Sequence, residues 1–113
     1  MKSIHLGKKK IVELNINDVE YIAALDNYSI DHFQKHNKKG LLNAIDKIIL
    51  NDDVTTMIEL LGSLIREKKT NRVVGTKFLK QFDVFDIIVH LSPVISELFV
   101  DNLPQADDDV QKK

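Results

Sequence analysis

Ser3-Ile4-His5-Leu6-Gly7-Lys8-Lys9-Lys10-Ile11-Val12-Glu13-Leu14-Asn15-Ile16 is the stretch whose reading decides the fold. Ile4 and Leu6 alternate with Ser3 and His5, and Val12, Leu14 and Ile16 alternate with Glu13 and Asn15. A side-chain period of two on both sides of Gly7-Lys8-Lys9 is the pattern of two strands around a turn, so residues 3–16 read as a β-hairpin. Lysines at its tip and flank discourage indiscriminate edge pairing. A lone two-stranded hairpin is marginal in water. The rest of the chain reads as helices and offers no second sheet. The hairpin therefore either packs on those helices or pairs its open edge with another chain.

Outward from the hairpin the period changes. Asn17 with Glu20 three positions on has the form of a capping box, which predicts a helix carrying Val19, Ile22, Ala23 and Leu25 through Asn27. Tyr28 to Lys39 is mixed, with Asn37, the lysines and Gly40 reading as loop or a frayed helix. Leu41, Ala44, Ile45, Ile48 and Ile49 share a helical face that ends at Asn51. Asp52 or Asp53 caps the next helix, whose Val54, Met57, Ile58, Leu61, Leu64 and Ile65 give the cleanest helical spacing in the chain. Arg66, Lys68 and Lys69 then suit the negative end of that helix dipole. Thr70 to Gly75 is a connection, and Thr76 caps a short helix with Phe78, Leu79 and Phe82. Asp83 starts a last long segment with Phe85, Ile88, Val89, Ile95, Leu98 and Phe99 inward; Pro93 within it either kinks one continuous helix, the preferred reading, or takes the first position of a second helix capped by Ser92.

The expected architecture is α+β, mainly α: an N-terminal hairpin followed by a compact bundle of about four to five helices. One globular domain spans 1–103, with its helices within 17–103. Residues 104–113, which include Asp107, Asp108 and Asp109, read as a disordered acidic tail that buries too little to offset its ordering entropy. At 113 residues and 43% hydrophobic, the chain is long enough for a sizeable core. Its formal net charge of -1 argues against nucleic-acid binding as the main task. The lack of cysteine excludes thiolate catalysis, disulfides and Cys-ligated zinc, and fits a reducing compartment. No apolar run has the length of a membrane span, and no signal-peptide pattern opens the chain, so a cytoplasmic location is expected.

Four constellations carry residue types that could do chemistry or bind a partner. His32 and His36 stand at the i, i+4 spacing that puts two imidazoles on one helix face for a metal, yet no third ligand accompanies them; solvated surface histidines are the plainer reading. Asp83, Asp86 and His90 fall on neighbouring helical turns, but without a nucleophile or phosphate loop they read as a cap and a solvent-facing pair. The basic clusters Lys8-Lys9-Lys10, Lys38-Lys39 and Arg66, Lys68, Lys69, Arg72 sit at turns and helix ends without interleaved aromatics, so nucleic-acid binding is the weaker reading. Phe78, Phe82, Phe85 and Phe99 form either core or a surface for a partner helix. No catalytic, cofactor or metal residue is assigned, and the chain reads as a non-enzyme.

The layout resembles the small tail assembly chaperones of long-tailed bacteriophages, of the siphovirus type with Gram-positive hosts. The resemblance rests on the hairpin around a Gly-Lys turn, Ile4-His5-Leu6-Gly7-Lys8-Lys9-Lys10, and on Ala24-Leu25-Asp26-Asn27-Tyr28. It continues in the Gly-led helix from Gly40-Leu41-Leu42, the acidic break Leu50-Asn51-Asp52-Asp53-Val54, the Phe85-to-Ile88 segment and the polar C-terminus. It covers most of 4–103 and departs at Asp31 to Lys39, which is basic and lacks a glycine just after Tyr28. The resemblance implies a non-enzymatic protein that binds and solubilises the tape-measure protein while tail-tube subunits polymerise, forms homo-oligomers and works in the host cytoplasm. It also implies a programmed frameshift near the end of the short form, for which Gln111-Lys112-Lys113 suits an A-rich slippery codon run. The alternative is a small regulatory or nucleic-acid-binding helical protein.

Overall fold

A computed structural model describes residues 1–6 and 10–102. Strand β1 (Ile11–Ile16) pairs antiparallel with β2 (Val19–Ala24), in a register running from Ile16 opposite Val19 to Ile11 opposite Ala24. The turn between them is Asn17-Asp18, both at positive φ (51° and 69°), the geometry of a two-residue type I′ turn that Asn and Asp tolerate. The Asn15 side chain accepts the Asp18 N–H at 2.9 Å and pins it.

The expected hairpin is thus present but displaced along the chain, from 3–16 to 11–24. Ser3 to Leu6 belong to no strand, and the Gly7-Lys8-Lys9 turn lies outside the described residues. The helix expected from Asn17 to Asn27 is strand β2 instead. Val19, Ile22 and Ala23 fit both periods. What decides is that the I′ turn sets the register and that Tyr21 and Ala23 alternate into the core.

Asp26 ends the strand and starts helix α1 (Asn27–Asn37) by accepting the Ser29 N–H at 2.9 Å. The stretch expected to be mixed or loop is therefore helical, anchored by the wholly buried Phe33 and closed by Lys38 in the left-handed conformation. Helix α2 (Leu41–Asn51) and helix α3 (Val54–Leu64) lie where the spacing puts them, with Asp53 capping α3 through the Thr56 N–H at 3.1 Å.

α3 is the hub of the fold. Every residue from Thr56 to Leu64 except Glu59 is buried, and the other four helices and the sheet pack around it. Its close neighbour is helix α4 (Gly75–Lys80): a Cβ on Gly62 would come within 2.6 Å of the Gly75 carbonyl carbon.

The residues expected to finish α3 do something else. Ile65–Glu67 form β3, which pairs antiparallel with β2 (Ala23 opposite Ile65, Tyr21 opposite Glu67), giving the sheet order β1-β2-β3. Ile65 and Arg66 are buried there, so Arg66 is no solvated helix-end cation. After the loop to Val74, α4 leads to helix α5 (Val84–Asn102), continuous through Pro93 and started by Asp83, whose side chain accepts the Phe85 N–H at 2.9 Å. Ile95, Leu98 and Phe99 face the core as expected, but Phe85 and Val89 do not; Ile87 takes the inward place. The fold is α+β and mainly α, a small antiparallel sheet with five helices among the described residues. The segment expected as an acidic tail lies outside the described residues.

Candidate functional site

Helix α2 carries more apolar residues than its neighbours can cover. Only Ala44 is fully buried; Leu41, Ile45 and Ile48 are half-buried, and Leu42, Ile49 and Leu50 are 74%, 69% and 75% exposed. Between α2 and the second half of α5 lies a cleft of about 340 Å³, lined by Leu42, Ile45, Ile49, Ile95 and Phe99 with Met57 of α3 also in its wall. A second hollow of about 350 Å³ continues it toward the α2–α3 junction, sharing Ile48, Met57 and Ser92 and adding Ile88 and Val54.

On α5 the two hollows follow Ile88, Ser92, Ile95 and Phe99, the spacing of one helical face. Phe85 extends that row outward, 69% exposed. From Phe85 to Phe99 is about 21 Å of helix at 1.5 Å per residue. Ser92 does not break the apolar character, because its hydroxyl donates to the Ile88 carbonyl of the preceding turn at 2.6 Å.

The charges on these elements are mostly negative. In 41–54 and 83–99 the acids are Asp46, Asp52, Asp53, Asp83, Asp86 and Glu97, against the single cation Lys47 when histidine is neutral. Asp53 is firmly ionised: the Thr56 N–H it accepts holds its carboxyl below the ordinary range. The arrangement is an apolar trough on acidic elements. It offers a helix somewhere to lay an apolar stripe.

The residues singled out for chemistry fall elsewhere. His32 and His36 are stacked on α1, ring centroids 4.0 Å apart and planes 18° apart. His36 Nδ1–H donates to the His32 carbonyl at 3.0 Å, while His32 Nδ1 meets the Ser63 hydroxyl of α3 at 2.8 Å. His32 is thus not a solvated histidine: burial, then the neighbouring His36, push its pKa down against the opposing pull of Asp31. Among the described residues no group of three His, Cys, Asp or Glu side chains is arranged to hold a metal ion. Asp83 is the cap expected of it. Asp86 and His90 line a separate cleft of about 430 Å³ between β1 and α5 with Leu14, Asn15 and Ile87.

The basic clusters are partly consumed inside the fold. Lys39 bonds Glu59 at 2.7 Å and Thr56 Oγ1 at 3.2 Å. Lys68 reaches Glu13 at 3.3 Å. Arg66 donates through Nη2 to Asp26 and, at 3.1 Å, to Ser29 Oγ, and its guanidinium lies 4.6 Å from the Tyr28 ring centre. Asp26 and Tyr28 belong to the Leu-Asp-plus-aromatic stretch on which the family resemblance rests, so in this chain those residues gather around Arg66. Phe78 packs on Tyr21 and Phe82 at 5.4 and 5.3 Å, as core. No protein-family model, no curated protein and no solved structure matches the chain. No helix among the described residues is long and apolar enough to cross a membrane.

The trough was only half visible in the sequence. The apolar content of α2 was plain, but Leu42 and Leu50 fall outside its expected face, and the exposed Phe85 read as core. A helix whose apolar residues spread beyond one face is the signal that was there to be found.

Proposed function

We propose that the chain is a non-enzymatic assembly chaperone whose α2–α5 trough holds the apolar stripe of a long helical client, as the resemblance to phage tail assembly chaperones implies. The client is then the tape-measure protein, kept in solution in the host cytoplasm until tail-tube subunits take it over. What carries the reading is the trough itself: apolar side chains left bare on α2 and α5, with the carboxylates of Asp52 and Asp53 at its α2–α3 end, in a chain whose other large apolar side chains include a buried core. An amphipathic helix with basic flanks complements such a surface. The DNA-binding alternative has less to stand on, because Lys39 and Arg66 are engaged within the fold.

Co-expression with the longest helical open reading frame downstream of the gene tests the reading. Expected is stable co-purification of a client that is insoluble alone, lost on Leu42→Asp with Ile49→Asp. A soluble client that ignores the protein, or unchanged capture by that double variant, refutes it.

A further inference from the structure

Among the described residues, strand β1 has a neighbour on one side only. In a two-residue hairpin the pair closing the turn is hydrogen-bonded, here Ile16 with Val19, and the pairs alternate from there. Ile16, Leu14 and Val12 therefore turn their backbone N–H and C=O toward β2, while Asn15, Glu13 and Ile11 turn theirs to the open edge. An independent bond agrees. Glu20, opposite Asn15, gives its carbonyl to Lys68 N at 3.2 Å on the far side of β2, so this pair is the outward-facing kind. Among the described residues the outward groups of Ile11, Glu13 and Asn15 have no backbone partner.

The side chains on this strand have two distinct faces. Val12, Leu14 and Ile16 pack against the core but remain half-buried, while Ile11, Glu13 and Asn15 are exposed. We propose that β1 is a homodimer edge: β1 of a second copy pairs antiparallel with it about a two-fold axis at Leu14, joining two three-stranded sheets into one of six strands.

The register follows from elimination. Opposite residues of an antiparallel pair lie on the same face, so a self-pairing that keeps apolar side chains inward must centre on a residue, not between two. Centring on Glu13 puts two carboxylates face to face, and centring on Val12 puts Lys10 against the partner's Leu14. Centring on Asn15 leaves the partner's Ile16 against Leu14 but gives Val12 the partner's Asp18. Centring on Leu14 matches Leu14 with the partner's Leu14, Val12 with the partner's Ile16 and Glu13 with the partner's Asn15. It also makes Glu13 and Asn15 the hydrogen-bonded pairs, which their outward groups require. The resulting contact is isologous and closes as a dimer. This inference stands on the sheet alone and does not depend on the client reading.

The chain has no cysteine, so a single introduced one reports the register. In a non-hydrogen-bonded antiparallel pair the two Cα atoms stand about 4.5 Å apart, within disulfide reach. Under mild oxidation of the purified full chain, Leu14→Cys is expected to give a covalent dimer quickly, and Val12→Cys, which faces the partner's Ile16, to lag well behind. Sedimentation of the unmodified protein is expected to show a concentration-dependent monomer–dimer equilibrium. Glu13→Pro removes one outward N–H per copy without touching the β1–β2 ladder, and should raise the dissociation constant about thirty-fold. A monomer at every concentration, or equal cross-linking of the two cysteine variants, overturns the proposal. So does a rapid intramolecular disulfide in Ile4→Cys with Leu14→Cys, which would place the chain's own N-terminal segment on that edge. The cysteine comparison needs no proline, so a poorly folding Glu13→Pro leaves the proposal open to refutation.

Discussion

Replacing Arg66 by methionine should cost far more than removing a surface cation. The side chain of Arg66 is 7% exposed and that of its partner Asp26 15% exposed, and they tie β3 to the β2–α1 junction across 40 positions of sequence. Asp26 also accepts the Ser29 N–H, and the Ser29 hydroxyl in turn donates to the Ala24 carbonyl at 2.5 Å, so the guanidinium completes a small polar network. Breaking a buried pair from one side costs about 3–5 kcal/mol, chiefly because the remaining charge loses its partner. Asp26 keeps the Ser29 N–H, and methionine replaces much of the arginine stem, so the low end applies: about 3 kcal/mol. For a chain of this length that is a fall in Tm of roughly 12 °C. Asp26→Asn should also destabilise, since it leaves Arg66 charged and buried. The double variant should cost less than the sum of the two by about 1–3 kcal/mol.

The pH dependence has a definite sign. Burial works to raise the Asp26 carboxyl, but the Ser29 N–H and Arg66 outweigh it and hold its pKa below the ordinary 3.8. An unfolded chain titrates near that ordinary value, so the stabilisation from Asp26 is complete above it and is lost as pH falls through the folded value. Arg66→Met should flatten that acid limb. Urea unfolding of the four proteins of the cycle, at neutral and acid pH, measures all of this. An Arg66→Met cost under about 1 kcal/mol, or strict additivity with Asp26→Asn, refutes the account of a coupled buried pair.

Three further outcomes follow from the fold. Gly62→Ala drives a methyl group into the α4 backbone, 2.6 Å from the Gly75 carbonyl carbon and 2.7 Å from Thr76 N, and should cost about 1–3 kcal/mol or more by thermal unfolding. Asp18→Gly relieves a non-glycine residue at φ 69° in the type I′ turn and should raise stability by about 0.5–1 kcal/mol; unchanged or lower stability refutes the turn assignment. His32 has a folded pKa below the ordinary 6.5, so the unfolded chain takes up a proton first and stability should decline as pH falls from about 6.5 toward the folded value. His32→Gln should remove that decline, read by chemical unfolding across pH 7 to 5.

Fold class was legible because it rests on counts: several stretches of helical period, one of strand period, and a chain long enough for one core. The helices α2 and α3 could be placed because their spacing is unambiguous and Gly40 and Asp53 mark their starts. Residues 17–27 were not legible for a physical reason. Val19, Ile22 and Ala23 satisfy both periods, and the choice is made by Asn17 and Asp18 accepting positive φ together and by β3 arriving 40 residues later to cover the β2 edge. β3 is three residues long, too short to show a period of its own, and the cations after it looked like the end of a helix. Arg66 shows the same limit at the level of a side chain: a helix-end cation and a buried counter-ion have the same local sequence, and only the fold brings Asp26 to it.

The trough poses a different question, since its residues add little to the chain's own stability. A side chain such as Leu42 or Ile49, more than two-thirds exposed, leaves most of its transfer free energy unrealised; fully buried, each contributes about 1.5–3 kcal/mol. Single exposed apolar residues are ordinary on any surface. Here they are not scattered: Leu42 and Ile49 stand two helical turns apart on one wall, Ile88 and Phe99 bracket the other, and Met57, a side chain that adapts to irregular surfaces, lies between. Polar substitutions at Leu42 and Ile49 would leave the core untouched and favour solubility, so the fold itself gives no reason for leucine and isoleucine at both sites. An occupant does. Asp52 and Asp53 stand at one end of the trough, and a helix with basic flanks meets them as it covers the apolar wall. The β1 edge lies on a different part of the fold, built from backbone groups rather than side chains, so pairing two copies there leaves each trough to be filled from outside.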